Sequence, residues 1–555
     1  MIHKSKILPF LMLLFVVACK KGTGDFLTVE KKQLIFSVQA TSERITCSSN
    51  ATIEAVSSQP AWCKCTVDGS DKTIVVYVSR NDGADSRERA ATVTVTAGKA
   101  EPVSIEVKQN SLGNYFSVEG NTDLQFKWNV DQRAVRVQTN IVFTAISSNP
   151  EWCTTEIKDD VYNLNIKVDE NFTGKNRTAT VTVAAPGFEN ATIAVSQDNF
   201  SVPFDKFEIK NGVNISEWLL EGSQHNLFTR ADAEYIAGLG FDHIRIPICE
   251  WQMFEQTGTT TPGAIKPATW ALLKKGLEWC AEFNMRAIVD LHRLQVYPTD
   301  AVTRERFYNV WREISAELKK YPVGLVAYEI LNEPGFLSNA NNYKEWNDLS
   351  TACFNVIRGL EPNRMIMLGS AGANGVWESQ YLSVPNDPNV MITVHFYRPF
   401  LFTHYNASWI TKGANWTFPV HYPGETIASG DQAKAKTETG RNDDVITEYY
   451  TKLDDSNVIN QLFHPDLERA KFGEIKSKSS STGKKVWIGE YGCISNAPHA
   501  DKVQWYKDLY KIFERNNMAR CHWEYRHHSR NDGFGLRDRN GTPDMEVINA
   551  ILGKN

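Results

Sequence analysis

The chain has few cysteines, no excess of positive charge and no hydrophobic run long enough to cross a bilayer. Only 10 of its 555 residues are cysteines, and they are scattered rather than paired as Cys-x-x-Cys. This pattern excludes a disulfide framework and a zinc site of the finger type. The formal net charge is -5 at pH 7, so no basic surface is expected for phosphate backbones, and nucleic acid is excluded as a partner.

The first 19 residues are typical of an export signal. A positive start at residues 3–6 precedes twelve largely apolar residues, Ile7 to Ala18, a run too short for a transmembrane helix. Cys19 follows directly, and Val16-Val17-Ala18-Cys19 resembles a bacterial lipoprotein signal. The resemblance implies an acylated Cys19, attachment to a membrane through that lipid, and a place at the bacterial cell surface or outer membrane. A plain signal peptide with an incidental cysteine is the alternative.

Residues 27–199 contain two copies of one module. A segment ending in Pro60-Ala61-Trp62-Cys63 recurs 90 residues later as Pro150-Glu151-Trp152-Cys153. Arg89 to Val95 recurs 88 residues later as Arg177 to Val183. The near-constant offset indicates a duplication, with modules at 27–111 and 112–199. Alternating Thr and Val residues in both copies predict short strands and an all-β, immunoglobulin-like sandwich.

Both modules resemble BACON domains. The resemblance rests on the shared Pro-x-Trp-Cys signature and on the closing segments Val107-Lys108-Gln109-Asn110 and Val195-Ser196-Gln197-Asp198. It implies either carbohydrate binding or a spacer role. Because a tryptophan beside a buried type of cysteine is more often core than platform, we predict that Trp62 and Trp152 are core residues and that the modules are spacers.

From residue 204 to the end, segments typical of strands and helices alternate. The capping-box sequence Thr229-Arg230-Ala231-Asp232 predicts a helix start, and Pro267 suits the first turn of another. Eight strands and their helices over about 350 residues predict a (β/α)8 TIM barrel at 204–555. The predicted strands are Gly212–Ile215, His243–Ile248, Arg286–Leu291, Val326–Leu331, Arg364–Leu368, Met391–Tyr397, Lys485–Glu490 and Ala519–Glu524.

Two glutamates stand where predicted strands leave the sheet. Glu333 lies in Asn332-Glu333-Pro334, and Glu490 lies 157 residues later in Gly489-Glu490-Tyr491-Gly492. Proline restricts the residue before it, so Glu333 is expected in extended geometry at the carboxyl end of its strand, where barrels keep their catalytic residues. Two carboxylates on separate strands are the groups needed to cleave a glycosidic bond.

The barrel sequence resembles family 5 glycoside hydrolases. Besides the two glutamate motifs, the resemblance is carried by Arg245 in His243-Ile244-Arg245-Ile246-Pro247, His292 in Asp290-Leu291-His292, His395 and Tyr397 in Val394-His395-Phe396-Tyr397, and Trp523. It implies that Glu333 is the acid/base and Glu490 the nucleophile of a reaction that retains anomeric configuration. Their carboxyl groups should then be only about 5–5.5 Å apart.

The resemblance also implies roles for the other matched residues. Arg245 and Tyr397 would contact Glu490, and His395 would tune the proton affinity of Glu333. The sugar would be bound by the remaining matched residues, which are His292, Asn332 and Trp523. No cofactor or metal is expected; a metal reading of His522, Glu524, His527 and His528 is not favoured because the spacing lacks a helical histidine pair around a glutamate.

A long connection, Pro399 to Lys484, follows the sixth predicted strand. Loops of that size in barrels are usually functional, and its residues His404, Trp409, Trp416, His421 and Tyr422 are candidates for shaping a cleft. The alternative is that they pack the insertion itself.

The sequence therefore predicts a monomeric endo-β-1,4-glucanase that acts on a polysaccharide or oligosaccharide. The alternatives are a β-mannanase, a xyloglucanase, an exo-acting β-glucosidase and an inactive glycan-binding lipoprotein. Family membership does not separate the enzymes, because loops around the subsites decide the substrate.

Overall fold

The computed structural model describes residues 24–554 apart from 71, 82–86, 112, 159–162, 174, 201–203, 221–226, 256–258, 336–340, 411, 413–414, 448, 451–477 and 530–531. Cys19 and the predicted signal lie outside the described residues. Contacts divide the chain into two units, 1–199 and 200–555. Within the described part of the chain, no helix is both long enough and apolar enough to cross a bilayer.

The first copy of the repeated module is built from two four-stranded sheets. The strand order is β1-β3-β6-β5 in one sheet and β2-β8-β7-β4 in the other. Alternate residues point inward, and those of both sheets form one apolar cluster. The strands are β1 Leu27–Val29, β2 Gln33–Phe36, β3 Thr41–Ser49, β4 Ile53–Ser57, β5 Cys63–Asp68, β6 Thr73–Val78, β7 Arg89–Ala97 and β8 Val103–Gln109.

The second copy repeats this arrangement. Its sheets have the orders β13-β14-β11-β9 and β10-β16-β15-β12 and enclose a second apolar cluster. The predicted β-rich repeat is confirmed, whereas its immunoglobulin-like topology and the boundaries 27–111 and 112–199 stay predictions. The strands are β9 Phe116–Glu119, β10 Asp123–Phe126, β11 Asp131–Thr139, β12 Thr144–Ser147, β13 Cys153–Lys158, β14 Asn163–Val168, β15 Arg177–Ala184 and β16 Ala191–Gln197.

The two signature tryptophans belong to these cores. Trp152 is 7% exposed, and Trp62 is half-buried against the first cluster. An arginine lies over each ring: Arg89 is 4.4 Å from the ring centroid of Trp62, and Arg177 is 4.2 Å from that of Trp152. These cation–π contacts cover ring faces that a sugar would need. The packing agrees with the predicted core role.

The second unit contains a closed barrel of eight parallel strands. Each strand pairs with the next, and the first pairs with the last. The predicted eight-stranded barrel is confirmed, with strand ends shifted by no more than two residues from those expected. The strands are β17 Asn211–Asn214, β18 His243–Cys249, β19 Arg286–Arg293, β20 Val326–Glu329, β21 Met365–Leu368, β22 Val390–Phe396, β25 Val486–Tyr491 and β26 Ala519–His522.

Helices connect the barrel strands. The Thr229 side chain accepts a hydrogen bond from the Asp232 amide, and the Asp232 side chain bonds back to Thr229, so the predicted capping box opens α1. Pro267 is the first residue of α3, as predicted. The helices in this part of the chain are α1 Arg230–Leu239, α2 Glu250–Met253, α3 Pro267–Glu282, α4 Ala301–Leu318, α5 Asn341–Leu360 and the 3-10 helix Glu378–Tyr381.

The insertion after β22 has short elements of its own. Trp416 and Tyr422 are buried in it, and the Tyr422 hydroxyl donates to Asp508 Oδ2 at 3.1 Å, so these two aromatic residues pack the insertion rather than line a cleft. Its described elements are α6 Phe400–Thr403, β23 Gly424–Glu425, α7 Gln432–Thr439, α8 Asp443–Ile446 and β24 Tyr449–Tyr450. The chain then ends with α9 His499–Arg515 and α10 Met545–Leu552.

The cysteines contribute side-chain packing rather than cross-links. All nine in the described residues are free thiols, and all but Cys65 are buried. Burial raises the pKa of the Cys280 thiol, which keeps it protonated and unreactive. The fold is therefore held together without disulfides.

Gly212 in β17 tests how closely two barrel strands approach. A methyl group there would lie 2.2 Å from Nε2 of His243, whose ring is fixed by Asp242 and Trp487. We expect Gly212→Ala to lower the free energy of unfolding by about 1–3 kcal/mol through overpacking. Gly238, in the last turn of α1, has no atom outside its own helix backbone and its two neighbours within 4 Å of the added carbon. There, Gly238→Ala should stabilise by up to about 1 kcal/mol. Urea unfolding measures the free energy of unfolding of both variants. Equal changes in the two variants would contradict the proposed clash at Gly212.

Candidate active site

The predicted site residues meet at the carboxyl ends of the barrel strands. Arg245 comes from β18, His292 from β19, His395 from β22 and Glu490 from β25. The loops directly after β20, β22 and β26 add Asn332 with Glu333, Tyr397, and Trp523, respectively. Parallel strands share one carboxyl edge, so residues far apart in the sequence converge there.

Glu333 and Glu490 face each other across this end of the barrel. A carboxylate oxygen of each, together with a ring nitrogen of His395, lies within 4.8 Å of the others. Glu490 is 5% exposed, whereas the Glu333 side chain is 39% exposed to the open cleft. Carboxyl groups this close suit a retaining mechanism, because an inverting one needs about 6.5–9.5 Å to admit a water.

The backbone at Glu333 differs from the prediction. Its φ is +41°, in the left-handed region, so the extended geometry expected before Pro334 is wrong. The strand itself ends earlier, at Glu329. A non-glycine residue in this region is strained, and the surrounding structure must hold it there. The consequence is local: the turn directs Glu333 across the site rather than along the strand.

Arg245 has five oxygen partners, of which four accept hydrogen bonds and the fifth forms an ion pair. The guanidinium is completely buried, and it bridges four strands and the loop after β20. A planar, permanently charged guanidinium is the side chain suited to this fixed multipoint geometry. The acceptors are Glu329 Oε2 at 2.6 Å, Glu490 Oε1 at 2.7 Å, Asn332 Oδ1 at 2.7 Å and Asn214 Oδ1 at 2.9 Å, and the ion pair is with Asp290 Oδ2 at 2.9 Å.

Three carboxyl groups share this one cation. Burial raises the pKa of Asp290 to about 7, although Arg245 acts in the opposite direction. Burial also raises the pKa of Glu329 against the effect of Arg245. A cluster with more buried negative than positive charge is stabilised by retaining a proton. Burial thus favours the protonated form of Asp290.

Glu490 is held on its second oxygen by Tyr397, whose hydroxyl donates to Oε2 at 2.8 Å. Burial and the nearby carboxylates raise the pKa of Tyr397 well above its ordinary value, so the hydroxyl stays a donor. With Arg245 on Oε1, both oxygens of Glu490 have fixed partners. This carboxylate is thereby oriented before any substrate arrives.

His395 contacts the other carboxyl group. Its Nδ1 lies 2.8 Å from Glu333 Oε1, and burial lowers its pKa to about 4, so the ring is neutral at neutral pH. Burial among the cleft walls raises the pKa of Glu333. With a hydrogen on Nδ1 donated to Oε1, the proton of Glu333 would sit on the other oxygen, ready for transfer.

Asn332 and His292 form the part of the network next to Trp523. Because Arg245 occupies Oδ1 of Asn332, the amide nitrogen is directed towards His292 Nε2 at 3.3 Å. Asp290 lies 2.6 Å from His292 Nδ1, and burial lowers the His292 pKa to about 3. Trp523 stacks on the His292 ring at 5.5 Å. These contacts fix an amide donor and an indole face beside the two carboxylates.

A cavity of about 340 Å³ opens above Glu490 and Glu333. Trp523 forms one side of it, and Trp409 and His404 from the insertion form another. Two of the five insertion residues proposed from the sequence therefore line the cleft, while Trp416 and Tyr422 pack the insertion and His421 does not line this cavity. The cavity combines aromatic faces with carboxylates, as a sugar site requires.

The histidine-rich segment after β26 is used for hydrogen bonding. His522 Nε2 lies 2.8 Å from the Tyr506 hydroxyl, and His527 Nδ1 lies 3.0 Å from Glu217. Glu524 accepts a hydrogen bond from Ser216. Among the described residues, a spacing that would suit a metal ion is found at Glu333, His395 and Glu490, the carboxylate pair itself.

Sequence reasoning missed three members of the Arg245 network: Asn214, Asp290 and Glu329. Glu329 and Asp290 are fully buried, each following a run of apolar residues in its strand. An acidic residue inside a barrel strand needs a cation nearby, and Arg245 is a buried cation on β18, which is adjacent to the strand of Asp290 and two strands from that of Glu329. The pairing of these buried acidic residues with Arg245 could have been recognised in the sequence, but the motifs that carry the family resemblance do not include it.

Fold and site together define a class of protein. A (β/α)8 barrel with two carboxylates at this separation, one immobilised by Arg245 and Tyr397 and one of raised pKa beside a neutral His395, is a retaining glycoside hydrolase. The comparisons with known proteins identify the family. The sequence model described as Cellulase (glycosyl hydrolase family 5) matches residues 206–529, and the chain belongs to that family.

Relatives with curated names agree with this assignment. Endoglucanase C of Acetivibrio thermocellus is 27% identical over 338 residues, which cover 57% of this chain and 91% of the relative. Cellodextrinase A of Ruminococcus flavefaciens is 26% identical over 332 residues, which cover 56% of this chain and 84% of the relative. The xyloglucan-specific endo-beta-1,4-glucanase BoGH5A of Bacteroides ovatus is 24% identical over 310 residues, which cover 46% of this chain and 61% of the relative. The chain is a glycosidase that hydrolyses O-glycosyl bonds.

The repeated modules also match a known family. The BACON model, described as an N-terminal binding domain, matches residues 52–110 and 142–198. These ranges fall in the two copies of the repeat, one in each. The predicted resemblance to BACON domains is confirmed.

The raised pKa of Glu333 generates a prediction about pH. The first step needs Glu333 protonated, so kcat/KM should fall as the pH rises through a pKa above the ordinary 4.5. Glu333→Gln should lower kcat/KM on unactivated substrates by about 10²–10⁴ and remove this alkaline limb. The measurement is a pH profile of both proteins. A limb near pH 7 that persists in the variant would assign it to Asp290 instead.

Proposed function

We propose that the protein is a retaining endo-β-1,4-glucanase that cleaves β-glucan chains by double displacement. The observation that carries this proposal is the pair of carboxylates within 4.8 Å, each with its own set of partners. The relatives called endoglucanases support a glucan as the substrate. The open cleft around Glu333 supports cleavage within a chain rather than only at its end.

In the first displacement, Glu333 would protonate the glycosidic oxygen while Glu490 attacks the anomeric carbon. The carboxylate oxygens of Glu490 are already bound by Arg245 and Tyr397, so little reorganisation is needed. As the covalent ester forms, Glu490 loses its negative charge. Arg245 then remains paired with Glu329 and Asp290, so its buried charge stays neutralised.

In the second displacement, water would attack the ester, and Glu333 would now remove its proton. His395 would keep its contact with Glu333 Oε1, at 2.8 Å, while Glu333 changes from a proton donor to a proton acceptor. The amide of Asn332 would bond the sugar 2-hydroxyl, and such bonds strengthen in the transition state. Trp523 would cover the apolar face of the same sugar.

A panel of polysaccharides tests the function. We expect release of reducing ends from carboxymethylcellulose or mixed-linkage β-glucan, and a loss of at least about 10³-fold in Glu490→Gln, because the amide cannot form the ester. Glu313→Gln, an exposed change on α4, is the matched control and should be fully active. Xyloglucan and mannan complete the panel. A wild type inert on all substrates, or an active Glu490→Gln, would overturn the proposal.

We also propose that the enzyme is a monomer tethered to a membrane through Cys19, with the two modules as immunoglobulin-like spacers. The lipoprotein-like sequence at residues 16–19 supports the tether. The arginine-covered, core-packed Trp62 and Trp152 support spacers over sugar-binding modules.

The tether has a direct test. A labelled fatty acid should be incorporated into the full chain expressed in a bacterium, and Cys19→Ala should abolish the label because the only acylated thiol is gone. Cys65→Ala, the half-buried cysteine of the first module, is the control and should keep it. Label that persists in Cys19→Ala contradicts the tether.

A further inference from the structure

A second cavity of about 460 Å³ adjoins the one above the carboxylates. Its volume lies within the roughly 300–1,000 Å³ common for small-ligand sites. The two cavities share His292, Arg293, Asn332 and Glu333. The nucleophile Glu490 borders only the first of them. Glu333 therefore lines both cavities, whereas Glu490 lines only the first.

The positions of the two carboxylates indicate which part of the substrate each cavity would hold. Glu490 must lie beneath the sugar it attacks, which is the sugar retained on the enzyme. Glu333 must reach the oxygen that joins this sugar to the departing part of the chain. A cavity that borders Glu333 but not Glu490 is on the departing side.

Two aromatic side chains line the second cavity. Trp251 is 38% exposed and Tyr297 is 48% exposed, so both present part of an apolar face at this cavity. A flat aromatic face suits the C–H face of a pyranose, and Tyr and Trp combine such a face with a polar group. Exposed aromatics at a concave surface next to a catalytic acid indicate a binding role.

Both aromatics are carried by fixed backbone. Trp251 lies in α2, and its backbone carbonyl accepts a hydrogen bond from Lys266 Nζ at 2.8 Å. The neighbouring Glu250 of the same helix forms an ion pair with Arg306. The main chain of Tyr297 is bonded on both sides: its amide donates to Thr303 Oγ1 at 3.1 Å, and its carbonyl accepts from the Asp300 amide at 3.0 Å.

The Tyr297 hydroxyl is also engaged, because it accepts a hydrogen bond from the Gln295 amide. The Tyr297 side chain, held in this way, would lose little entropy when a ligand stacks on it. The Trp251 backbone and the Tyr297 side chain are thus fixed by contacts within the protein.

We propose that Trp251 and Tyr297 form the surface that binds the departing sugar residues of the chain. This inference rests on the proposed glycosidase function and adds the residues that recognise the leaving side. Stacking there would hold the glycosidic oxygen against Glu333, so longer substrates would be cleaved faster than short ones.

The test compares two substrates that differ only in the departing group. Cellotetraose places sugars on the departing side, whereas β-cellobiosyl fluoride places a single fluorine atom there and still requires Glu490. We expect Trp251→Ala and Tyr297→Ala in the full-length protein to lower kcat/KM for cellotetraose about tenfold, the scale of one lost stacking contact. The kcat/KM for the fluoride should stay within about twofold of wild type.

Conservative variants and a distant control complete the design. Trp251→Phe and Tyr297→Phe keep an aromatic face and should recover most of the oligosaccharide rate. Tyr77→Ala removes an aromatic residue that is 44% exposed on the first β module and should change neither substrate. Equal losses on both substrates, or no loss on either, would overturn the assignment. A wild type inert on both substrates would instead overturn the proposed function.

Discussion

The active site depends on one buried guanidinium. Arg245 holds oxygens from four strands and the loop after β20, including those of Glu490 and Asn332. A permanently charged group at the centre of the barrel lets several carboxyl groups be buried that would otherwise be expelled or neutralised. Barrel closure and catalytic geometry are therefore parts of the same arrangement.

This network divides the two glutamates by environment rather than by sequence. Glu490 is enclosed, with a cation on one oxygen and a phenol on the other. Glu333 lies in the open cleft beside a neutral histidine, and its pKa is raised. Different surroundings thus raise the pKa of one glutamate and fix the orientation of the other, a division that suits double displacement.

The sequence was sufficient for the barrel and for the residues at its mouth, because apolar strand segments and strand-end motifs are local signals. It did not reveal the charge balance beneath them. Glu329 and Asp290 lie 84 and 45 residues beyond Arg245, and the pairing of β18, β19 and β20 in the sheet brings them to the same guanidinium. The left-handed Glu333 was missed because the rule for residues before proline is a preference that tertiary contacts override.

The nine unlinked cysteines have a consequence for the lifetime of the protein. Folded, eight of the thiols are shielded from oxidants. Once the chain opens, all nine are exposed, and in an oxidising medium random pairing would trap the molecule outside its native state. Durability in such a medium is then governed by how seldom the protein first unfolds, a kinetic barrier, rather than by the equilibrium between folded and unfolded forms.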